Sequence, residues 1–499
     1  MIRFGLFARK AAAAVAAAVF AIGALLPAAG LYKKVSADTE FMSAAEAASA
    51  MNVGWNLGNT LDSYGTWISG TAPSSFETAW GNPVTTAGLI AAVKDAGFNS
   101  IRIPVTWAQH IDSAGNIDGA WLDRVTEVVD YAMSLDMYVI LNVHHDTGEH
   151  GGDKVAWLVA DTGTIESERN RYSILWTQIC NRFADYGDHL LFEGYNEILD
   201  SSNSWGHASD ASAYTAVNDL AQLFVDTVRA AGGNNARRNL IVNTYVASHE
   251  QQVLDAFVLP SDPASGHLLA EVHVYAPWGF TGTSESVTWT SVHDDFTDAD
   301  RAEITGVLND ISAFSSRIGV PVIIGECGAE LKDNDSERAA YAAYLVSEAA
   351  SRGIKCFWWD NGLTYSIFDR SSETPCSAVV EALVSNAVST APSGQQAEET
   401  EAAGTSAAAE TTETAAAEMS SSDETTAVSE TDDSYITTAA EESDAAASAE
   451  TTVTASLQTD TPSQKKGFNP LWAVWIALGV VAVAVIYKFV FDMGKKHPD

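Results

Sequence analysis

Eight short apolar runs, each followed by a segment of helical periodicity, recur through the central part of this 499-residue chain. Trp121–Leu135 and Glu337–Ser351 are representative of the amphipathic segments between them. This alternation is typical of a parallel sheet, and eight units predict a closed α/β barrel of the (β/α)8 TIM type. An open, doubly wound sheet is the alternative, but no glycine-rich phosphate loop follows the first run. The predicted strands are Val53–Leu57, Ser100–Pro104, Tyr138–Val143, Leu190–Tyr195, Leu240–Thr244, Leu269–Val274, Val322–Glu326 and Lys355–Asp360.

Polar or aromatic side chains follow most of these runs, at the end where barrel enzymes carry their catalytic groups. Glu197 follows the fourth run and Glu326 ends the seventh. In a barrel both carboxyl groups reach the same mouth, and such a pair predicts cleavage of a glycosidic bond with retention of configuration. A metal-dependent barrel lyase or isomerase would need acidic ligands at several strand ends, where this chain has Asn, His and Trp instead.

Seven motifs around these strand ends resemble glycoside hydrolase family 5. They are Gly54–Thr60, Phe98–Pro104, Val143–Asp146, Glu193–Glu197, His273–Tyr275, Ile324–Glu326 and Trp358–Gly362. They lie in the family's order, and Glu77–Pro83 is similar to the bacterial endoglucanase and xyloglucanase branch. Ile198 and Cys327 depart from the family pattern, which has Pro and an aromatic residue there. Neither departure removes a functional group.

The resemblance implies that Glu326 is the nucleophile and Glu197 the general acid and base. Two carboxylates about 5 Å apart repel by roughly 3 kcal/mol at an effective dielectric constant near 20, so one of them keeps a proton near neutral pH. A cationic Arg102 beside Glu326 would favour the ionised form of that carboxyl group. Asn196 and Glu197 can both reach the site only if the chain leaves regular strand geometry there, because successive strand residues point to opposite faces.

The remaining expected contacts are with Glu326 and with the sugar. Tyr275 is expected to donate a hydrogen bond to Glu326, Asn196 to bind the 2-hydroxyl group, and Trp359 to form the floor under a sugar ring. No metal and no organic cofactor is expected. The predicted substrate-binding residues are Arg102, His144, His145, Asn196, His273, Tyr275, Trp359, Asn59 and Trp80.

The first 37 residues read as a secretory signal peptide. A basic start precedes an alanine-rich apolar stretch, and the small-residue site Val35–Ala37 predicts cleavage before Asp38. An uncleaved N-terminal anchor is the alternative, since the apolar stretch is long. In both cases residues 38–390, the predicted catalytic domain, are exported.

The C-terminal part of the chain is predicted to hold the enzyme at the cell surface. Residues 391–466 are rich in Ser, Thr, Ala and Glu, a composition that predicts a disordered acidic linker. The apolar run within 467–491 is long enough for a transmembrane helix, and 492–499 would be a short cytoplasmic tail. The expected location is therefore outside the cell, anchored to the membrane by this helix.

Charge narrows the choice of partner. The chain has 65 Asp and Glu against 27 Lys and Arg, a formal net charge of -38, which argues against nucleic acid as a partner.

The motifs, the resemblance and the charge together predict a monomeric endo-β-1,4-glucanase that acts on cellulose-like or mixed-linkage β-glucan. Xyloglucanase and mannanase are the alternatives within the family. A catalytically silent glycan-binding protein is the alternative outside it, but that reading predicts loss of Glu197, Glu326 or Arg102, and all three are present.

Overall fold

The computed structural model describes residues 41–387, which form a closed barrel of eight parallel strands in sequential order. Each strand pairs with its neighbours in sequence, and β8 pairs with β1 to close the barrel. The strands are β1 (Gly54–Leu57), β2 (Ser100–Ile103), β3 (Tyr138–Asn142), β4 (Leu190–Glu193), β5 (Leu240–Asn243), β6 (Leu268–Val274), β7 (Val322–Cys327) and β8 (Lys355–Asp360). All eight predicted strands are confirmed, in order, with boundaries that differ by at most two residues.

Helices follow the strands and cover the barrel's outer face. Capping boxes at Ser43 and Thr297 start two of these helices, because each side chain accepts the backbone N–H three residues later. The α-helices are Ala44–Ala50, Pro73–Glu77, Ala87–Asp95, Gly119–Met133, Thr162–Arg182, Ser212–Ala230, Gln251–Ala256, Trp278–Thr281, Asp298–Ile318, Asp335–Ser351 and Val379–Asn386. Two 3-10 segments, Gly233–Ala236 and Tyr245–Ala247, and a small antiparallel pair, Phe368–Asp369 with Thr374–Pro375, complete the described elements.

Apolar side chains fill the lower part of the barrel interior. A cluster contributed by six strands packs there against the helix Ala44–Ala50, which closes the barrel's N-terminal end. Its strand members are Tyr138, Ile140, Leu191, Ile241, Leu269, Ile323 and Phe357. Because strand side chains alternate, the residues between them point outward and pack against the helices.

Trp107 and Trp358 are two tryptophans of the outward-facing core. Trp107 is fully buried and its indole N–H donates to the Asn142 carbonyl, so it is a core residue and not a sugar contact. Trp358 is also buried and packs against Tyr341, away from the neighbouring Trp359.

Three predicted segments lie outside the described residues: the signal peptide 1–37, the linker 391–466 and the membrane helix 467–491 with its tail 492–499. Within residues 41–387, no helix combines the length and apolar character needed to span a bilayer.

Candidate active site

Above the apolar floor, the inward-facing positions change to polar residues. Because side chains alternate along each strand, the inward-facing positions one level above the apolar cluster can be identified. They are occupied by fully buried polar residues: Asn56, Arg102, Asn142, Glu193, Asn243 and Glu271. Buried charges are stable only when they are paired and hydrogen-bonded, so this layer is a continuous polar network. It lies directly beneath the barrel mouth and supports the groups there.

Arg102 on β2 is the centre of this network. Its Nε and Nη2 atoms donate to the two oxygens of Glu193 at 2.7 and 2.8 Å, a bidentate pair. Nη1 donates to Glu326 at 2.7 Å, and Nη2 also donates to the amide oxygen of Asn196 at 2.7 Å. Burial opposes the charge of Arg102, but Glu193, Glu271 and Glu326 raise its pKa above the ordinary value. The guanidinium is therefore a fixed cation that joins the buried layer to the mouth.

Glu326 reaches the mouth through an irregularity in β7. The register between β6 and β7 shifts next to His273, and that between β7 and β8 shifts after Ile324. Such a shift turns a side chain from one face of the sheet to the other. Glu326 is nearly buried, and its second oxygen accepts a hydrogen bond of 2.8 Å from the Tyr275 hydroxyl.

Glu197 comes from the loop after β4. That strand ends at Glu193, so Asn196 and Glu197 both lie beyond regular strand geometry and both reach the site, as their spacing requires. The Glu197 side chain is 21% exposed, against 7% for Glu326. One oxygen of each carboxyl group lies within 4.8 Å of the other. The two predicted catalytic carboxyl groups thus face each other across a narrow gap.

His273 lies between the two carboxyl groups. Its Nδ1 is 2.7 Å from Glu197 and 3.6 Å from Glu326, while its Nε2 is 3.2 Å from Glu271. Burial disfavours the charged imidazolium, but Glu326, Glu197 and Glu271 raise the pKa of His273 to about 10. With that pKa the ring binds a proton readily near neutral pH. It also connects Glu197 to Glu271 through its two nitrogens.

His144 and Trp359 form the opposite wall. The two rings are nearly parallel, 8° apart, with centroids separated by 5.7 Å. Burial, with His145, Arg102 and His273 nearby, lowers the pKa of His144 well below the ordinary value, so its ring is neutral. A Cβ on Gly58 would lie 2.8 Å from the Trp359 ring, and glycine at this position gives the indole its space.

Three predicted contacts lie farther along the mouth. Trp80 packs edge-on against Tyr64, and both rings contact His145 at centroid distances of 5.5 and 5.1 Å. Asn59 lies in the loop after β1 with a left-handed φ of 57°, and its backbone N–H donates to the Asp62 carboxylate. The structure brings Trp80 and His145 together as an aromatic wall, whereas Asn59 contributes mainly to the shape of its loop.

Two functional residues had no assigned role in the sequence reasoning: Glu193 and Glu271. Each interrupts an apolar strand at the inward parity of Arg102. That parity was the available signal, since an ionisable residue inside an otherwise apolar strand needs a buried partner. Trp289 was also not assigned; it is exposed, as is Trp278, which stacks on Tyr275.

Two groups of side chains have oxygen and nitrogen atoms close enough to surround a cation. They are Asp62 with His144 and His145, and Glu197 with His273 and Glu326. The first has limited ligand capacity, because the Asp62 oxygens already accept the backbone N–H groups of Asn59 and Thr60. In the second, the neighbouring guanidinium of Arg102 already neutralises Glu326. Backbone hydrogen bonds to Asp62 and ion pairs around Glu326 therefore account for the carboxyl groups of these two clusters.

Comparison with known proteins places this barrel among carbohydrate-active enzymes. Residues 61–364 match the family described as cellulase (glycosyl hydrolase family 5). Endoglucanase A of Clostridium longisporum is 40% identical over 343 residues, which is 66% of this chain and 63% of that protein. This chain therefore aligns with less than two thirds of that relative. Endoglucanase A of Ruminococcus albus is 36% identical over 365 residues, covering 70% of this chain and 95% of the relative.

Solved structures agree with this placement. A glycoside hydrolase family 5 enzyme of Prevotella bryantii, crystallised with a xyloglucan tetradecasaccharide, is 40% identical with a TM-score of 0.64, over 70% of this chain and 100% of that one. A broad-specificity endoglucanase of Ruminococcus champanellensis, crystallised with cellotriose, is 37% identical with a TM-score of 0.64, over 70% and 99% of the two chains.

Proposed function

This chain belongs to glycosyl hydrolase family 5 and is a glycoside hydrolase, and from that premise we propose that it is a retaining endo-β-1,4-glucanase. The observation that carries the proposal is the facing pair Glu197 and Glu326, with oxygens within 4.8 Å of each other. Retaining enzymes hold their carboxyl groups about 5–5.5 Å apart, whereas inverting enzymes need roughly 6.5–9.5 Å to admit a water molecule. The short separation favours retention.

In the first step, a Glu326 oxygen attacks the anomeric carbon of the sugar. The bond to the departing sugar oxygen breaks, and that oxygen takes the proton of Glu197. Arg102 and the Tyr275 hydroxyl each bind one Glu326 oxygen, which stabilises the ionised nucleophile before the attack. The product of this step is a glycosyl ester of Glu326.

In the second step, water replaces the ester. Glu197, now ionised, takes a proton from the water while its oxygen attacks the anomeric carbon and releases Glu326. The greater exposure of Glu197 suits this role, because this carboxyl group must meet both the leaving sugar and solvent. Each residue ends the cycle in its starting protonation state.

Asn196 and Trp359 are proposed to hold the reacting sugar. Arg102 holds the Asn196 amide oxygen, which leaves the amide nitrogen directed toward the mouth beside His144. That nitrogen is a suitable donor to the sugar 2-hydroxyl group, a contact that strengthens in the transition state. The indole of Trp359 provides an apolar face for the ring C–H groups.

The substrate is proposed to be an unbranched β-glucan, either cellulose-like or mixed-linkage. Xyloglucan is the second candidate, supported by relatives whose structures are described as xyloglucan complexes or xyloglucan-specific enzymes. A hydrolysis panel of carboxymethylcellulose, lichenan, xyloglucan and mannan separates these possibilities. The proposal expects the highest kcat/KM on carboxymethylcellulose or lichenan. Preference for mannan, or no hydrolysis of any β-glucan, would contradict it.

Cell-surface attachment is a further part of the proposal, and it rests on sequence. The signal-like residues 1–37 and the apolar run within 467–491 support an exported catalytic domain on a membrane tether. Full-length enzyme should sediment with membranes, and a chain ending at Thr390 should be released in soluble, active form. Recovery of the full-length chain free in the medium would overturn the tether.

A further inference from the structure

Glu271 lies in the buried layer directly beneath the two catalytic carboxyl groups. It is fully buried on β6, two residues before His273. Its carboxyl group occupies the space beside Gly325, the residue that precedes Glu326. A Cβ at position 325 would lie 1.8 Å from the Glu271 oxygen, so the strand carrying Glu326 has room for this carboxyl group only with glycine there.

The contacts of Glu271 point toward His273. One carboxyl oxygen lies 3.2 Å from Nε2 of His273 and 3.5 Å from Nε of Arg102. The other oxygen is buried and has no hydrogen-bond partner among the described residues. An incompletely satisfied buried carboxyl group is costly, so a role in the site accounts for it better than packing alone.

The two nitrogens of His273 connect Glu271 to Glu197. An ionised carboxylate can only accept, so when Glu271 is ionised the 3.2 Å contact requires a proton on Nε2, while Nδ1 faces Glu197 at 2.7 Å. When the imidazole is neutral, Nδ1 accepts the acid proton of Glu197. When Glu197 is ionised, the imidazolium donates from Nδ1. One proton can therefore lie on either atom of this short contact.

We propose that Glu271 is a positioning residue that fixes the Nε2–H form of His273, so that His273 and Glu197 share the proton used in catalysis. The inference rests on the proposed function, because it takes Glu197 as the general acid and base. Glu271 does not touch the substrate in this account. It acts through His273.

The charges around Glu271 determine when it acts. The charged or titratable groups that act on it are Arg102 on β2, Glu193 on β4 and His273 on its own strand, and its register neighbour on β5 is Asn243. Glu197, Glu326 and His144 in turn act on the histidine. Burial and the neighbouring Glu193 raise the pKa of Glu271 to about 7, against the opposing effect of Arg102. Above that pH the carboxylate is ionised and favours retention of the shared proton.

The test is the pH profile of kcat/KM for Glu271→Gln. The general acid must be protonated, so loss of the shared proton sets the alkaline limb of the profile. Glutamine keeps the size of the side chain but removes its negative charge. The alkaline limb should move to lower pH by about one unit, and the acidic limb should stay in place. An unchanged alkaline limb with a uniformly reduced rate would overturn the proposal.

Glu193→Gln is the matched control. Glu193 is equally buried and carries the same charge, but it contacts Arg102 and not His273. It should lower kcat/KM at every pH without moving the alkaline limb. An equal shift in both variants would assign the effect to general charge within the barrel, and the specific role of Glu271 would fail.

A second measurement uses the unsubstituted protein and so does not depend on whether a variant folds. Ring-nitrogen NMR shifts of His273 in the full chain should show Nε2 protonated from about pH 5 to about pH 11, with Nδ1 alone losing its proton near the top of that range, where the pKa of about 10 places the change. A neutral form carrying its proton on Nδ1 would overturn the proposal. This readout does not depend on turnover. If β-glucans are not hydrolysed but Nε2 stays protonated, the proposed function fails while the positioning of His273 stands.

Discussion

The Nη1 atom of Arg102 lies 2.7 Å from a Glu326 oxygen, in a position where the arginine is fully buried and the glutamate nearly so. In so enclosed a site the guanidinium is the counter-charge that Glu326 needs. The same guanidinium holds Glu193 and Asn196. Its geometry therefore links the proposed nucleophile, the proposed sugar contact and the buried layer.

Arg102→Lys should reduce kcat/KM by about 100-fold, which corresponds to roughly 3 kcal/mol of transition-state stabilisation. Lysine preserves the charge but cannot reproduce the fork that binds Glu193 and Glu326 together. Steady-state kinetics on carboxymethylcellulose, with thermal unfolding measured alongside, provide the test. Arg238→Lys is the control, because Arg238 is equally buried but donates to backbone carbonyl groups such as that of Leu190. That variant should lose stability and keep kcat/KM; equal activity losses would contradict the account.

Tyr275→Phe removes the hydroxyl group that donates to Glu326 at 2.8 Å. A hydrogen bond to a charged group contributes about 1.5–3 kcal/mol, so kcat/KM should fall by roughly 10- to 100-fold with little change in Tm. Tyr365→Phe serves as the comparison, since its ring packs against Tyr275 while its hydroxyl interacts with Glu330. If both variants keep normal kinetics, the hydroxyl of Tyr275 has no part in preparing the nucleophile.

Trp359→Ala should weaken substrate binding. An aromatic contact is worth about 0.5–1.5 kcal/mol beyond the area that it buries, so a rise in KM of roughly 10-fold is expected. Trp359→Phe should show an intermediate effect, because it keeps a smaller aromatic face. Kinetics on oligosaccharides of increasing length provide the measurement. An unchanged KM in the alanine variant would show that the indole does not carry the sugar.

The buried His110 is expected to lower the stability of the fold as the pH falls. Its ring stacks on Trp121 with centroids 3.6 Å apart, and burial lowers its pKa to about 4, opposed by Asp118. The unfolded chain binds a proton near the ordinary value of about 6.5, so stability present above that pH is lost as the pH falls toward 4. His110→Phe should flatten the decline of Tm across this window. Parallel Tm curves for the two proteins would contradict the prediction.

The barrel was predictable because its strands are short and apolar and are separated by segments of helical periodicity. The run ending in Glu326 and the run Lys355–Asp360 each end in an acidic residue, which predicted their C-terminal ends to within one residue. Residues 190–195 were less well bounded, since the chain leaves strand geometry after Glu193 while Tyr195 remains fully buried. A buried tyrosine in a loop has the same apolar appearance in the sequence as a strand residue. Only the pairing of β4 with its neighbours shows that the strand ends before Tyr195.

The groups at the mouth were predictable from their positions at strand ends, but the contacts within the layer beneath them were not. Glu193 lies within a recognised motif, yet nothing local to it indicates that it grips Arg102. Glu271 is separated from His273 by one residue, and its contact with Gly325 depends on the alignment of two strands distant in sequence. Such pairings follow from barrel closure and register, which a local sequence pattern does not specify.

The central claim is that Glu326 is the nucleophile and Glu197 the acid and base, and azide rescue tests it most directly. An aryl β-cellobioside with an activated leaving group is the substrate, and the anomeric form of the azide product is read by NMR. Glu326→Ala should be inactive and regain turnover with azide, giving the α-glycosyl azide, because azide displaces the leaving group directly. Glu197→Ala should give the β-glycosyl azide through the glycosyl-enzyme. The reverse pairing of products, or near-normal turnover of Glu326→Ala without azide, would contradict the assignment.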